Sequence, residues 1–492
     1  MGKYLLSVDN GLTTTKAVLF TLEGREVSSG HVSTVIENKG DFSELDMDLQ
    51  WENTAKAIRE CLEKVDVRPK EIIGVGNSGH GAGLYCLDQN GRPVRKAISS
   101  MDTRADNIID RWNGEGRTPR DMIYQNFWSG HAVPILSWLK QYEPENYENI
   151  KTVLMVKDWI RFRLTGELGI EYTDASNSGM INPRGKNVDL GLFRIFDIEE
   201  AFYKMPKLYK TTDIAGYVNK TAAAETGLMV GIPVIGGVFD CIACSLGSGV
   251  YDNDKYNIIA GTWSINSGIE DQLYDPGATM KATLFVDIDK YYYSESSATS
   301  AVNLNWFIDN VMKGSELFDV QDEELFRIIT EKLGQIDPKD SDIIYMPFLY
   351  KSHLSHMNGA FMGLKPEHNL FHMLRALYEG VAFAHRKHID NLKNYGIVRR
   401  SAILSGGAAK SPLWCQMFAD ILGMEIITAD TTEAGALGTA ACTAVALGIY
   451  KDLKEAITAM VKVKKCYYPD TSTKEVYDAK YITFNTLIKK FE

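Results

Sequence analysis

A chain of 492 residues exceeds what one hydrophobic core supports and calls for two large domains. With 45% hydrophobic and 24% charged residues it has the balance of an ordinary soluble globular protein, and its net charge of −11 argues against a nucleic-acid partner, which would want a basic face. No apolar run is long enough to span a bilayer, and Asp9 comes too early for the apolar core of a signal peptide.

Residues 4–20 predict strand, tight turn, strand. Asn10-Gly11 is a strong hairpin signal, and Thr13, Thr14 and Thr15 follow with hydroxyls and N–H groups. Such a tip can wrap a phosphate, because glycine lets the backbone approach and amide dipoles point inward. Taken alone, the segment reads better as an ordinary hairpin. Residues 74–79 match G-x-G-x-x-G after a strand, but a strand and turn follow where a dinucleotide site needs a helix, so that reading fails. A Walker loop is missing too, since Gly185-Lys186 runs into Asn187 and lacks the first glycine.

From Met101 to Trp112 the pattern is helical, with Asp102 and Arg104 able to orient hydroxyls or to form a surface ion pair. Residues 127–139 begin with Phe127 and Trp128 at a loop, where flat aromatics serve a sugar wall or plain core, and continue as an amphipathic helix. A helix over 157–166 ends at Gly166, and 183–191 reads as a loop. Pro233-Val234-Ile235 is a short buried strand, and Gly236-Gly237 turn the backbone closely before Asp240 and a helix start at Cys241. A carboxylate at a strand end near mid-chain suits a cleft between two lobes, where it could take a proton from a hydroxyl. On this stretch alone, a helix N-cap is the stronger reading.

The seven cysteines, odd in number and scattered, suggest reduced thiols in the cytoplasm. Cys241-x-x-Cys244 has no second pair and reads as two small buried thiols on a helix. His353/His356 and His385/His388 lack an evident third ligand, so no transition-metal site is expected.

The pattern of 4–20 returns at 256–268, where an apolar strand breaks at Gly261 before Thr262, and 402–407 echoes 72–79. The order suggests two related lobes with phosphate loops facing one cleft. Strands are expected at 281–287, 291–296 and 343–348, and helices at 302–313, 322–334 and 370–391. Gly406-Gly407 feed a helix with Ser411 as N-cap, Pro412 in its first turn and Gly423 at its close, a place where an anion or nucleotide can rest. The small residues Gly435, Ala436, Gly438, Ala440 and Ala441 let backbones pack closely. The last helix is expected to open with a capping box, Ser472 with Glu475, and to bury Tyr477, Tyr481, Phe484, Ile488 and Phe491.

Together these residues resemble the FGGY family of carbohydrate kinases over nearly the whole chain. Asp9, Gly11, Thr13, Thr14 and Lys16 match the family's first phosphate motif, with Leu12 replacing a threonine. Glu44-x-Asp46 with Trp51, and Lys157-Asp158 with Arg161, Leu164, Thr165 and Gly166, match two further elements. Asp240 falls on the family's catalytic aspartate, Gly261-Thr262 on its second phosphate loop, and Gly406-Gly407-Ala408 with Trp414 and Gln416 on its adenosine loop. The sugar motif departs: Ser78, Gly79 and Gly83 keep its frame, while His80 replaces a glutamine and Ala82 a histidine. Ser100 replaces the tryptophan ahead of Asp102 and Arg104, and Lys351-Ser352-His353 stand where Gly-Glu-Arg is usual. Residues 99–102, 128–131 and 138–144 look most like the branch acting on L-xylulose and 3-keto-L-gulonate.

The resemblance implies two actin-like (ribonuclease H-like) α/β lobes, each a mixed five-stranded sheet with flanking helices, with a cleft between them. Residues 1–245 would form the sugar side with the first phosphate loop, and 246–492 the ATP side. It implies ATP and Mg²⁺ as cofactors, Asp240 as the proton acceptor, and Asp9 as the Mg²⁺ residue acting through water. Gly11, Thr13, Thr14, Lys16, Gly261 and Thr262 would hold phosphates, and Gly406, Gly407 and Ala408 the adenosine. His80, Asp102, Phe127, Trp128 and His131 would join Asp240 on the sugar side. The expected activity is phosphorylation of a ketose, L-xylulose first. D-Xylulose and the polyols glycerol and erythritol are the alternatives, and an actin- or chaperone-like ATPase is the rival from another class. The expected partners are a small-molecule sugar and a second copy of the chain in a homodimer, with no nucleic acid and no membrane.

Overall fold

A computed structural model describes residues 2–261, 263–313, 322–350 and 354–491. Thr262 and Lys351-Ser352-His353 therefore lie outside the described residues. The chain divides into two compact units.

The first unit holds Met1–Tyr251, Ile269–Tyr292 and Thr431–Lys462. Its sheet is built from β1 (Tyr4–Asn10), β2 (Thr14–Thr21), β3 (Glu26–Ser33), β4 (Ile72–Gly79), β5 (Ile214–Tyr217), β6 (Pro233–Ile235) and β7 (Val238–Phe239). The order is β5-β6-β4-β1-β2-β3, with β7 also on β4. β1, β2 and β3 form an antiparallel meander; β4 runs parallel to β1, and β6 parallel to β4. β5 closes the edge antiparallel to β6. Leu5, Leu6, Ser7 and Val8 are buried in succession, so β1 is covered on both faces.

The unit is not the contiguous half expected at 1–245, and the reason is a set of glycine contacts. The helix Ala434–Ala446 packs on the helix Asp240–Ser248 and on β4. A Cβ at Gly247 would stand 1.8 Å from Ala434 O, and one at Gly438 would stand 2.0 Å from Ala243 O. On β4, a Cβ at Gly76 would stand 2.3 Å from Thr443 Oγ1. Only backbone fits at these three points, so the small-residue helix belongs to the first sheet.

The second unit holds Asp252–Gly268, Tyr293–Asp430 and Val463–Glu492. Its strands are β8 (Tyr256–Ala260), β9 (Ser264–Glu270), β10 (Tyr291–Ser297), β11 (Ser401–Ser405), β12 (Glu425–Ala429) and β13 (Val463–Tyr467), in the order β10-β9-β8-β11-β12-β13. β8/β9 is antiparallel, β8/β11 and β11/β12 are parallel, and β12/β13 is antiparallel. This repeats β3-β2-β1-β4-β6 followed by β5, so both units carry the five-strand order of one fold with an added antiparallel edge strand. The faint repeat in the sequence is a true duplication of topology. The expected count of five strands omits those edges.

Helix ends follow local chemistry. Gly166 and Gly423 end their helices in the left-handed region at φ +83 and +63, and Ser411 caps Pro412–Leu422 through Trp414 N at 3.3 Å. Elsewhere the structure differs. The helix after Met101 starts only at Asp106, because residues before it are drawn into a buried ion pair described below. The Ser472–Glu475 capping box does not form. Asp470 instead bonds Ser472 N at 2.9 Å and caps a 3₁₀ turn, and the helix Lys474–Lys490 begins after it, leaving Phe491 exposed. The stretch 183–191 includes one strand of a short hairpin, Ile181–Asn182 with Asn187–Val188. Among the described residues no helix is long and apolar enough to cross a membrane.

Candidate active site

Asp240 is the first residue of the helix Asp240–Ser248, and Phe239 occupies the N-cap with no side-chain cap bond. Asp240 is therefore not the helix cap. Its Oδ1 is buried without a hydrogen-bond partner among the described residues. Burial, and after it the charge of Asp9, push its carboxyl from 3.8 up to about 7. A carboxyl poised near neutrality with a free acceptor is suited to general-base work. Its position is set from behind by Arg161 Nη1, which donates to Gly236 O at 2.5 Å, and by Phe239 N, which donates to Thr173 Oγ1 at 3.0 Å.

Arg161 belongs to a fully buried charge cluster. Lys157 Nζ lies 3.1 Å from Asp158 Oδ1, 3.5 Å from Asp174 Oδ2 and 3.6 Å from Glu171 Oε2, and Arg161 Nη1 bonds Asp158 at 2.8 Å. Asp174 in turn accepts from Ala82 N at 3.2 Å. The Lys-Asp…Arg element singled out in the sequence thus frames Asp240 and the loop carrying His80 without facing a ligand itself.

Asp9 stands at the end of β1, directly opposite Lys16 on β2, which puts both side chains on one face. Asp9 Oδ1 accepts from Ser78 Oγ at 2.8 Å, and Lys16 Nζ pairs with Glu433 Oε2 at 2.9 Å. A Cβ at Gly435 would come within 3.5 Å of Asp9 Oδ2, so the helix Ala434–Ala446 begins beside this carboxylate. Burial raises the Asp9 carboxyl, while the Ser78 bond and the Lys16 charge hold it down. Gly11 N bonds Thr14 O at 3.1 Å across the turn, and Thr34 N bonds Thr13 O at 3.0 Å. Asn10 Oδ1 accepts from Gln50 at 2.8 Å and Thr54 at 2.9 Å, anchoring the hairpin base. Thr13 is exposed at the tip and Thr14 half-buried.

His80 follows β4 directly and is buried, with Nε2 3.4 Å from Tyr85 OH and Nδ1 unpaired. Burial pushes it down to about 4, so it is neutral. His131 is buried too, its Nδ1 also unpaired, and burial with the nearby Lys281 charge holds it well below 6.5. Trp128, 40% exposed, meets the His131 ring edge-on at 5.5 Å. Phe127 meets it at 5.8 Å, but its other side packs on Trp112 and Phe196. Asp102 is not available to a sugar. Oδ1 accepts from Arg104 N and Nε, and Oδ2 from Ser43 N at 2.7 Å and Arg104 Nη2 at 2.8 Å. It clamps two loops together in a buried pair, where a surface ion pair or a hydroxyl ligand was expected.

In the second unit, Gly406 has φ +86, and a Cβ there would stand 2.7 Å from Ala260 C and O. The loop after β11 is thus pressed on the loop after β8, whose Gly261 has nothing within 4 Å of its own Cβ position. At Gly407 a Cβ would meet nothing nearer than 3.9 Å, so this face is open, whereas Ala408 is buried. The tight glycine is Gly406. Trp414 is core: it stacks on Tyr378 at 4.2 Å and donates to Tyr378 O at 3.1 Å. His385 and His388 are absorbed in a buried network with Ser264, Asn266, Ser297 and Ser300.

Sequence reading missed Glu433, Asp174 and Lys281. None sits in a motif read there, and each reaches the site from a segment distant in the chain. The Cys241 and Cys244 thiols are both pushed up by burial, which leaves them protonated and unreactive. Among the described residues no group of three His, Cys, Asp or Glu side chains gathers to hold a metal. A single open carboxylate such as Asp9 fits a hard cation that keeps most of its ligands as water and phosphate oxygens.

The N-terminal domain of the FGGY family of carbohydrate kinases matches residues 4–247, and its C-terminal domain matches 256–447. A protein of Pasteurella multocida (strain Pm70) named "Probable L-xylulose kinase" is 34% identical over 98% of both chains. The "L-xylulose/3-keto-L-gulonate kinase" of Escherichia coli (strain K12) is 32% identical over 99% of this chain and 97% of its own. A solved structure of gluconate kinase from Lactobacillus acidophilus shares the fold with TM-score 0.89 at 22% identity, covering 100% of each chain.

Proposed function

This chain belongs to the FGGY family of carbohydrate kinases, and from that premise we propose that it transfers the γ-phosphoryl group of Mg-ATP to a hydroxyl of a ketose, L-xylulose or a close keto-sugar relative. The observation that carries the reading is Asp240, a buried carboxyl at a helix start with one unpaired oxygen and a proton affinity near neutrality. Phosphoryl transfer asks a protein mainly for positioning and charge neutralisation, and Mg-ATP when bound supplies the group transferred and the divalent charge that accompanies it.

In this reading Asp240 accepts the proton of the attacking hydroxyl. Asp9, held by Ser78, orients the metal through water. Gly11, Thr13, Thr14 and Lys16, with Gly261 and Thr262, hold phosphate oxygens, and Gly406, Gly407 and Ala408 receive the adenosine. His80, Trp128 and His131 bind the sugar, Phe127 backs His131, and Asp102 keeps their loops in place. The first unit, which includes 269–292 and 431–462 as well as 1–251, carries the sugar side and the first phosphate loop, and the second unit carries the ATP side. Names of relatives support L-xylulose, and so does the sequence: His80 and Ala82 in place of glutamine and histidine move a hydrogen-bonding group and open space for a different hydroxyl configuration.

The test is ADP release measured across L-xylulose, D-xylulose, other ketoses, glycerol and erythritol. The expected result is sugar-dependent release with L-xylulose or a close relative best, and a changed ranking of ketoses but not of ATP affinity in His80→Gln. A site built to bond a hydroxyl rejects mismatched analogues by as much as ~10⁴-fold. Sugar-indifferent hydrolysis would move the protein to the actin- or chaperone-like ATPases, and a preference for glycerol would overturn the ketose assignment.

A further inference from the structure

Lys281 opens the strand Lys281–Leu284, in a segment that no motif marked. Its Nζ donates to Asn177 Oδ1 at 2.5 Å and lies 5.6 Å from the Phe239 ring centroid. It makes no ion pair within 4 Å among the described residues. Lys281 is half-buried, and an ammonium partly shielded from water without an ion pair keeps donors that a ligand's oxygens can take up.

Its surroundings say for what. The charge of Lys281 acts on Asp240, Asp174, Cys241 and His131, whereas Asp9 senses Lys16 and Glu433. The charges of Asp9 and Lys281 are thus both felt at Asp240, and that of Lys281 at His131 as well. Asn177, which holds Lys281, touches the loop carrying His80, since a Cβ at Gly81 would stand 2.2 Å from Asn177 Nδ2. His80 Nδ1, His131 Nδ1 and Asp240 Oδ1 all lack partners. An ammonium has three donors, and Asn177 takes one.

We propose that Lys281 is a specificity-determining substrate residue: its two remaining N–H donors hold sugar oxygens on the His131 side of Asp240 and leave one hydroxyl facing the Asp240 carboxylate. This rests on the kinase reading above. A salt-neutralising role for Lys281 would instead make it a structural partner of Asp240, and the two roles separate by experiment.

The variants are Lys281→Met, which keeps the stem and removes the donors, and Lys281→Arg, which keeps the charge. Ketose binding is measured by calorimetry without nucleotide, alongside the KM values for ketose and ATP and the Tm. Losing bonds from a charged donor should weaken ketose binding and raise its KM about tenfold to hundredfold in Lys281→Met. The ATP KM should stay unchanged, the L- to D-xylulose preference should shrink, and the Tm should hold, because the half-buried ammonium makes no ion pair on which the fold depends. Lys281→Arg should recover part of the ketose affinity. Unchanged ketose constants in Lys281→Met, or equal losses for both substrates with a lowered Tm, overturn the proposal while leaving the kinase reading intact. A wild type that neither binds nor phosphorylates any ketose overturns the kinase reading, and this inference with it.

Discussion

Replacing Asp240 by Asn keeps the shape of the side chain and removes its charge and its basicity, so it separates what the carboxylate does for the fold from what it does for the chemistry. The folded carboxyl is raised from 3.8 to about 7, by burial first and by Asp9 second. An unfolded Asp240 gives up its proton near 3.8. Between the two values the folded state therefore holds the extra proton, and stability falls as pH rises. At roughly 1.4 kcal/mol per pKa unit, the ionised carboxylate weakens folding by up to about 4 kcal/mol above pH 7. Asp240→Asn should thus be the more stable protein at about pH 8, with a Tm higher by several degrees, and the gain should vanish below about pH 4. Turnover should drop by about 10²–10⁴-fold, the contribution of a positioned general base, while sugar and ATP still bind within a few-fold of wild type. Calorimetric melts at the two pH values and coupled ADP release at saturating substrates measure both effects. Near-normal turnover would return Asp240 to a helix-start role, and a lower Tm at the higher pH would refute the claim that its charge is a burden on the fold.

Three further outcomes follow from the same geometry. In wild type, kcat/KM should fall about tenfold per pH unit below about 7, as Asp240 takes up its proton, and a flat profile down to about pH 5 would sink that assignment. Gly407→Val should fold normally, because nothing stands nearer than 3.9 Å to its Cβ, and should lose ATP affinity far more than sugar affinity. Gly406→Val should instead lower the Tm, since its φ of +86 and the 2.7 Å approach to Ala260 admit only glycine. Lys157→Met leaves Asp158, Glu171 and Asp174 buried beside Arg161 alone, which should cost about 3–5 kcal/mol and be read as a clear drop in Tm; an unchanged melt would show that the cluster is not held by its charges.

Much of this protein was legible along the chain because it depends on near neighbours. Period-two and continuous apolar runs placed β1, β2, β4, β8 and β11, and the cap residues Gly166, Ser411 and Gly423 did what their backbone and hydroxyl chemistry requires. The echo between 4–20 and 256–268 was a real repeat, whereas Asp240, which reads as a helix cap on its own stretch, stood out only through the motifs shared with the FGGY family. What the tertiary structure alone decided are quantities summed over distant groups. Lys16 finds Glu433 417 residues away, a pairing no local pattern carries. Asp102 looked like a ligand until Ser43 and Arg104 were seen to occupy both its oxygens. Residues 431–462 join the first unit because Gly247, Gly438 and Gly76 meet backbone or side chains there, and the sequence shows small residues without showing what they touch. Burial and charge set the proton affinity of Asp240 and leave Lys281 without an ion pair, and both are properties of everything packed around an atom. Only the folded chain brings those groups together.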